Sequence, residues 1–126
     1  MMVRGIRGAI SVEANTAEAI YAATSRLLTA MMQQNDVVTE DVVSVFLTCT
    51  TDLNAAFPAY AARQLPGFDL VPLLGAQEME IPGALARCLR ILLQVNTSRS
   101  LREIRHVYWG GAAKLRPDLA APEPQE

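Results

Sequence analysis

The chain has little of what most enzymes use for covalent or metal chemistry. Its 126 residues include one histidine, His106, one lysine, Lys114, and two cysteines, Cys49 and Cys88. A closed zinc site needs about four nitrogen or sulfur ligands at short spacing, which these residues do not supply. Cys49 and Cys88 form no CxxC pair and read as two buried, reduced thiols that pack as small hydrophobes. An unperturbed histidine at position 106 would permit proton transfer, but no serine or cysteine partner for nucleophilic catalysis is apparent.

Long apolar runs are also missing. No stretch reaches the ~18 apolar residues that would span a membrane. Arg7 and Glu13 interrupt any apolar signal core near the start, so the expected location is the cytoplasm. Excess positive charge is missing as well. The net charge is −2, which argues against nucleic acid as a partner, because a phosphate binder needs a basic field.

Hydrophobic residues, by contrast, make up 51% of the chain, enough for an ordinary core. The length fits one domain, expected over 1–119, with AAPEPQE at 120–126 as a flexible tail. A domain this short exposes a large share of its surface, so contacts between copies would help it. Arginine accounts for all the basic residues except Lys114. Arginine suits bidentate capture of carboxylate or phosphate. Alanine is abundant too, and base composition that favours both residues explains most of that bias. Where the arginines stand therefore matters more than how many there are.

Val3 to Val12 reads as a strand in which Gly5 and Gly8 mark a bulge or a close backbone approach. Asn15-Thr16-Ala17-Glu18 reads as a helix cap. Ile20, Ala23, Leu27, Leu28 and Met31 then recur at helical spacing, toward an end near Asn35. Val42 to Leu47 predicts a buried strand. A loop follows, then a short helix from Pro58 through Leu65, a turn at Pro66-Gly67 and a strand over Leu70 to Leu74. Pro82-Gly83 opens a predicted helix over Ala84 to Val95, and Ile104 to Trp109 predicts the last strand. The alternation implies an α+β fold, a mixed sheet with helices packed on one face.

Five features carry possible chemistry. Arg4 and Arg7 stand inside an apolar strand. Glu78 and Glu80 share a face if their segment is extended. Arg87, Arg90 and Gln94 form a polar stripe on the predicted helix, which by pattern alone faces solvent. Arg105-His106-Val107-Tyr108 places His106 and Tyr108 on one side of a strand. Lys114-Leu115-Arg116-Pro117-Asp118 is either a solvated end or a basic flap. Each alone reads as ordinary surface. Together they suggest an arginine-rich pocket with one or two carboxylates, suited to binding a small multi-anion without covalent chemistry.

In this order and spacing, RGIRGA at 4–9, Val12-Glu13, Asp52-Leu53, Phe57-Pro58-Ala59, Arg63, Gln77-Glu78-Met79, Cys88, Arg90, Arg105-His106-Val107-Tyr108 and Leu115-Arg116-Pro117-Asp118-Leu119 resemble one family. It is the small monofunctional bacterial chorismate mutases with the trimeric pseudo-α/β-barrel fold. The resemblance implies a cofactor-free, metal-free [3,3] rearrangement of chorismate to prephenate, in phenylalanine and tyrosine biosynthesis. It implies a homotrimer with three sites between subunits. Arg7, Glu78, Arg90, Tyr108 and Leu115 would come from one subunit. Phe57, Ala59, Arg63 and the segment Leu73, Leu74 and Gly75 would come from its neighbour.

By the same resemblance, Arg90 meets the ether oxygen, Arg7 and Tyr108 meet carboxylates, and Glu78 meets the ring hydroxyl. Arg63 and Arg116 stand at the mouth. Three positions depart from the family pattern: Tyr60 replaces a common lysine, and Leu74 and Gly75 replace polar side chains. Two other readings compete with an enzyme of this type. One is a deaminase-like trimer that uses a single arginine for a carboxylate. The other is a module that binds a metabolite as a regulator. The pair Arg7 and Arg90 with Glu78 favours the mutase, because a second guanidinium aimed at an ether oxygen has no use in a deaminase.

Overall fold

A computed structural model describes residues 1–119, and the expected tail at 120–126 lies outside them. Five strands form one sheet: β1 (Met2–Ser11), β2 (Val42–Cys49), β3 (Leu73–Gln77), β4 (Cys88–Thr97) and β5 (Val107–Trp109). Their spatial order is β3-β2-β4-β1-β5. Central β4 runs antiparallel to both neighbours, whereas β3 is parallel to β2 and β5 is parallel to β1. The sheet is therefore mixed, as expected. Two helices, α1 (Ala17–Gln34) and α2 (Pro58–Arg63), complete the α+β fold.

α1 covers one face. Thr16 caps it, its hydroxyl accepting a hydrogen bond from the Ala19 amide at 3.1 Å. Asn15, the first residue of the expected Asn15–Glu18 cap, instead accepts from the Asn54 and Ala55 amides and so pins the loop that leads to α2. The expected stripe of Ile20, Ala23, Leu27, Leu28 and Met31 is buried. It packs on Ile6 and Ile10 of β1, Val45 and Leu47 of β2, and Leu89, Ile91, Leu93 and Val95 of β4. Gly8 marks the close approach expected from the sequence. A Cβ there would lie 2.3 Å from Met31 Sδ, so only glycine lets α1 sit this near the sheet.

The predicted helix over Ala84 to Val95 is not formed, and this segment supplies β4. Its leucines and arginines are good helix formers, but tertiary pairing overrides propensity. Residues 89, 91, 93 and 95 point inward in the period of two that a strand requires. Arg87 precedes the strand with φ 46°. Its amide donates to both carboxylate oxygens of Asp52, at 3.0 and 2.9 Å, and its Nε donates to the Val12 carbonyl at 2.9 Å. These bonds fix where β4 begins. The strand expected over Leu70 to Leu74 lies later, at Leu73–Gln77, after a single 3-10 turn at Phe68–Leu70. The strand expected over Ile104 to Trp109 shortens to Val107–Trp109.

No helix among the described residues is long and apolar enough to cross a membrane.

Candidate active site

The face of the sheet turned away from α1 carries the candidate residues Arg7, Arg90 and Tyr108. Arg90 projects from β4 on this outer face, in register with Thr48 of β2 on one side and Ala9 of β1 on the other. Ala9 is in turn in register with Tyr108 of β5. One row thus runs Thr48, Arg90, Ala9, Tyr108. Arg90 and Tyr108 stand two strand spacings apart, about 10 Å, with only a methyl group between them. Arg7 belongs to the same face, one pleat along β1 from Ala9. Strand assignment therefore removes Arg90 from the helical stripe with Arg87 and places it beside Cys88, Leu92 and Gln94.

Glu78 follows β3 directly. Its amide donates to the Cys49 carbonyl at 2.8 Å, which extends the ladder by one residue. Its side chain then reaches back over β2. One carboxylate oxygen accepts a short hydrogen bond from the Thr48 hydroxyl, and the other lies 3.6 Å from Arg90 Nε. A carboxylate and a guanidinium thus stand next to each other on a rigid sheet, each held by a strand. Thr48 had no part in the sequence reading. Its place opposite Arg90 becomes legible only once β4 is known to be a strand.

The walls come from the chain's last described segment. Leu115 and Ala112 pack with Ala9, Cys88 and Tyr108 in a small cluster on the outer face. Arg116 stands close enough to Tyr108 and His106 to act on both by its charge. It is not a free cation, because it makes a two-pronged pair with Asp118, Nε to Oδ1 at 3.1 Å and Nη2 to Oδ2 at 2.9 Å. That hydrogen bond, and then the charges of Arg116 and Arg7, hold the Asp118 carboxyl below its ordinary range.

The remaining candidates lie elsewhere. Phe57, Ala59, Arg63 and Gly75 line a cleft of about 880 Å³ under α2 and along the free edge of β3. None of Arg7, Glu78, Arg90 or Tyr108 borders it. Phe57 is 83% exposed, an unusual position for a bare aromatic ring. Tyr60 stacks on Tyr21 with ring centroids 5.1 Å apart, and the Arg63 guanidinium lies 5.9 Å from the Tyr60 ring. Tyr21 and Tyr60 thus form an aromatic shelf under an arginine. Leu73 is half-buried against the core, and Leu74 is exposed on the outer face.

The two thiols are buried, as expected. Burial pushes Cys49 up to about 11, helped by its neighbours Cys88, Glu78 and Asp52. Burial also raises Cys88, and nearby Arg90 only partly offsets it. Both should stay protonated near neutral pH. A thiol reagent at about pH 8 is therefore expected to modify neither cysteine in the native protein and both in denaturant. Prompt labelling of the folded protein would contradict this.

Known proteins match the chain along nearly its whole length. The family model described as chorismate mutase type I matches residues 3–119. A chorismate mutase AroH from Thermus thermophilus is 50% identical over 119 residues, covering 94% of this chain and 97% of that protein. Its counterpart from Bacillus subtilis (strain 168) is 45% identical over 120 residues, with 95% and 94% covered. Among solved structures, a chorismate mutase from Clostridium thermocellum superposes with a TM-score of 0.85 at 41% identity, covering 88% of this chain and 98% of that one. With the arginine–glutamate face in place and relatives this close along nearly the whole length, the chain belongs to the type I chorismate mutase family and is an isomerase.

Proposed function

We propose that chorismate rearranges to prephenate in a site made from two copies of this chain: the outer face of one and the α2 cleft of its neighbour, in a homotrimer whose catalytic unit is residues 1–119. The observation that carries this reading is the separation of the two groups. Arg7, Glu78, Arg90 and Tyr108 stand on the outer face, whereas Phe57, Ala59, Arg63 and Gly75 line a cleft on the other side of the sheet. One copy cannot close them around a small molecule.

A second observation supports assembly. Leu74, Phe46 and Leu92 lie in register across three neighbouring strands of the outer face, and all three are exposed. An apolar row on an open sheet face calls for cover, and a second copy provides it symmetrically.

The chemistry follows from the charges. The reaction is unimolecular, so it needs neither nucleophile nor general base. The breaking C–O bond leaves partial negative charge on the ether oxygen. A guanidinium fixed beside it stabilises the transition state more than the ground state, and that is the role of Arg90. Glu78, held by Thr48, meets the ring hydroxyl and opposes positive charge developing on the ring. Arg7 and Tyr108 take the carboxylates. Phe57 and Leu115 wall the pocket and favour the compact, reactive conformer. Arg63 and Arg116 draw the dianion in from the mouth.

Subunit complementation tests the arrangement. Arg90→Ala and Arg63→Ala proteins are each purified, then unfolded together and refolded. If the two residues serve one site from different chains, random mixing restores about a quarter of the sites. Activity, followed by loss of the chorismate diene absorbance, should then exceed the mean of the two parents. No gain on mixing would place both residues in one copy and overturn the shared site.

A further inference from the structure

His106 is the chain's single histidine, and the rearrangement gives it no proton to move. It stands where two strands stop pairing. The parallel ladder between β1 and β5 begins at Gly8 and Val107. One residue before it are Arg7, within β1, and His106, just ahead of β5. The Arg7 amide, beyond the end of that ladder, donates to His106 Nδ1 at 2.9 Å. A ring nitrogen thus accepts at the end of the ladder. An accepting Nδ1 carries no proton, so the imidazole is neutral and bears its hydrogen on Nε2.

The backbone just before the ring is tightly held. Asn35, which ends α1, is 2% exposed. Its Nδ2 donates to the Met31 and Arg105 carbonyls, each at 2.8 Å. Its Oδ1 accepts from the Arg105 amide at 2.8 Å and from Arg99 Nη1 at 3.3 Å. All four hydrogen-bonding positions of a buried amide are used, so the segment before β5 has one available placement. Met31, one turn earlier on α1, lies against Gly8, the residue after Arg7. The last turn of α1 therefore grips both strands around the Arg7–His106 contact.

We propose that His106 is a positioning residue for Arg7: by accepting the Arg7 amide it fixes the β1 backbone there, and with it the direction in which the Arg7 guanidinium leaves the sheet. This rests on the reading that Arg7 binds a substrate carboxylate. The surroundings favour the neutral ring. Burial, then the guanidinium groups of Arg7 and Arg116, hold the imidazole below its ordinary value. The acceptor thus persists into mild acid.

His106→Phe keeps the ring and removes the acceptor. His106→Asn puts an amide oxygen near the place of Nδ1. The Phe variant should raise KM for chorismate about tenfold, with a much smaller change in kcat, since one backbone hydrogen bond aims a binding group. The Asn variant should stay within about threefold of the native protein. In an Arg7→Ala background, His106→Phe should change kcat/KM by less than about twofold, because no guanidinium is left to aim.

A purely structural histidine would instead lower activity equally in both backgrounds and would not be rescued by asparagine. That pattern, or a native KM in His106→Phe, overturns the inference alone, provided Arg7→Ala is itself impaired. If Arg7→Ala keeps native kcat/KM, the assignment of Arg7 to substrate falls and this inference falls with it. Should His106→Phe not fold, the native imidazole answers directly. Being the only one, its nitrogen NMR signals need no assignment. The Nε2–H tautomer is expected at neutral pH, and an Nδ1–H tautomer overturns the proposal.

Discussion

Arg90→Ala is expected to lower kcat by about 10²–10³-fold, the usual cost of deleting one donor aimed at developing negative charge. The loss should appear equally in kcat and kcat/KM, because the interaction strengthens only as the C–O bond breaks. Stability should barely change. Arg90 is exposed, and its nearest charged partner is Glu78 at 3.6 Å. A thermal melt within a few degrees of the native protein would establish that the fold survives. Arg90→Lys separates charge from shape. It keeps a cation at the end of a flexible stem but not the planar fork, and β4 offers no movement to bring it closer. Lysine should therefore recover only a small part of the lost rate. Near-normal turnover by either variant would remove Arg90 from the ether oxygen.

Gly8→Ala should destabilise the protein, because its new Cβ would meet the tightest contact of any glycine in the described residues. The new Cβ would lie 2.3 Å from Met31 Sδ, 3.1 Å from its Cε and 3.2 Å from its Cγ. A methionine side chain often yields, but Met31 is fully buried among Ile6, Leu27, Leu28 and their neighbours. Overpacking of this kind costs about 1–3 kcal/mol. Met31→Ala by itself should cost about 2–5 kcal/mol through the cavity it leaves. Combined, the two changes relieve each other. The double variant should be more stable than the sum of the singles by about 1 kcal/mol or more, read from denaturant midpoints at one protein concentration. Strict additivity would mean that Met31 does not set the distance between α1 and β1.

The architecture was legible in the sequence where one face of an element is buried and the other is wet. α1 shows this, with its cap, its stripe and its end all near the expected positions. β4 shows the reverse. Its inward residues alternate, but Leu92 faces outward and is apolar. An outward leucine erases the period of two and leaves a pattern that fits a helix equally well. That leucine belongs to the exposed row with Phe46 and Leu74, so the misread strand and the unmatched face have one cause.

The site was legible only in part for a related reason. Arg7, Glu78, Arg90 and Tyr108 sit on or just beyond four different strands, and their spacing in sequence carries no sign that they share a face. The family likeness named them together. Register then explains why they meet, and it adds Thr48 and His106, whose roles are to hold their neighbours.

The register between β1 and β4 has a further consequence during synthesis. Met2 pairs with Thr97, and Gly8 pairs with both Ile91 and Val107. β1 thus has no partner until residues 88–97 have been made. Only β2, α2 and β3 can associate early, through a parallel pair. A nascent chain therefore carries β1 with both edges open, and α1 with no sheet to rest on, until β4 arrives to join the two halves. Pairing of this range makes folding slow and leaves the unpaired edges prone to wrong contacts. A stall before β4 has left the ribosome would hold the chain in its most vulnerable state, whereas once β5 has left it every strand has its neighbour.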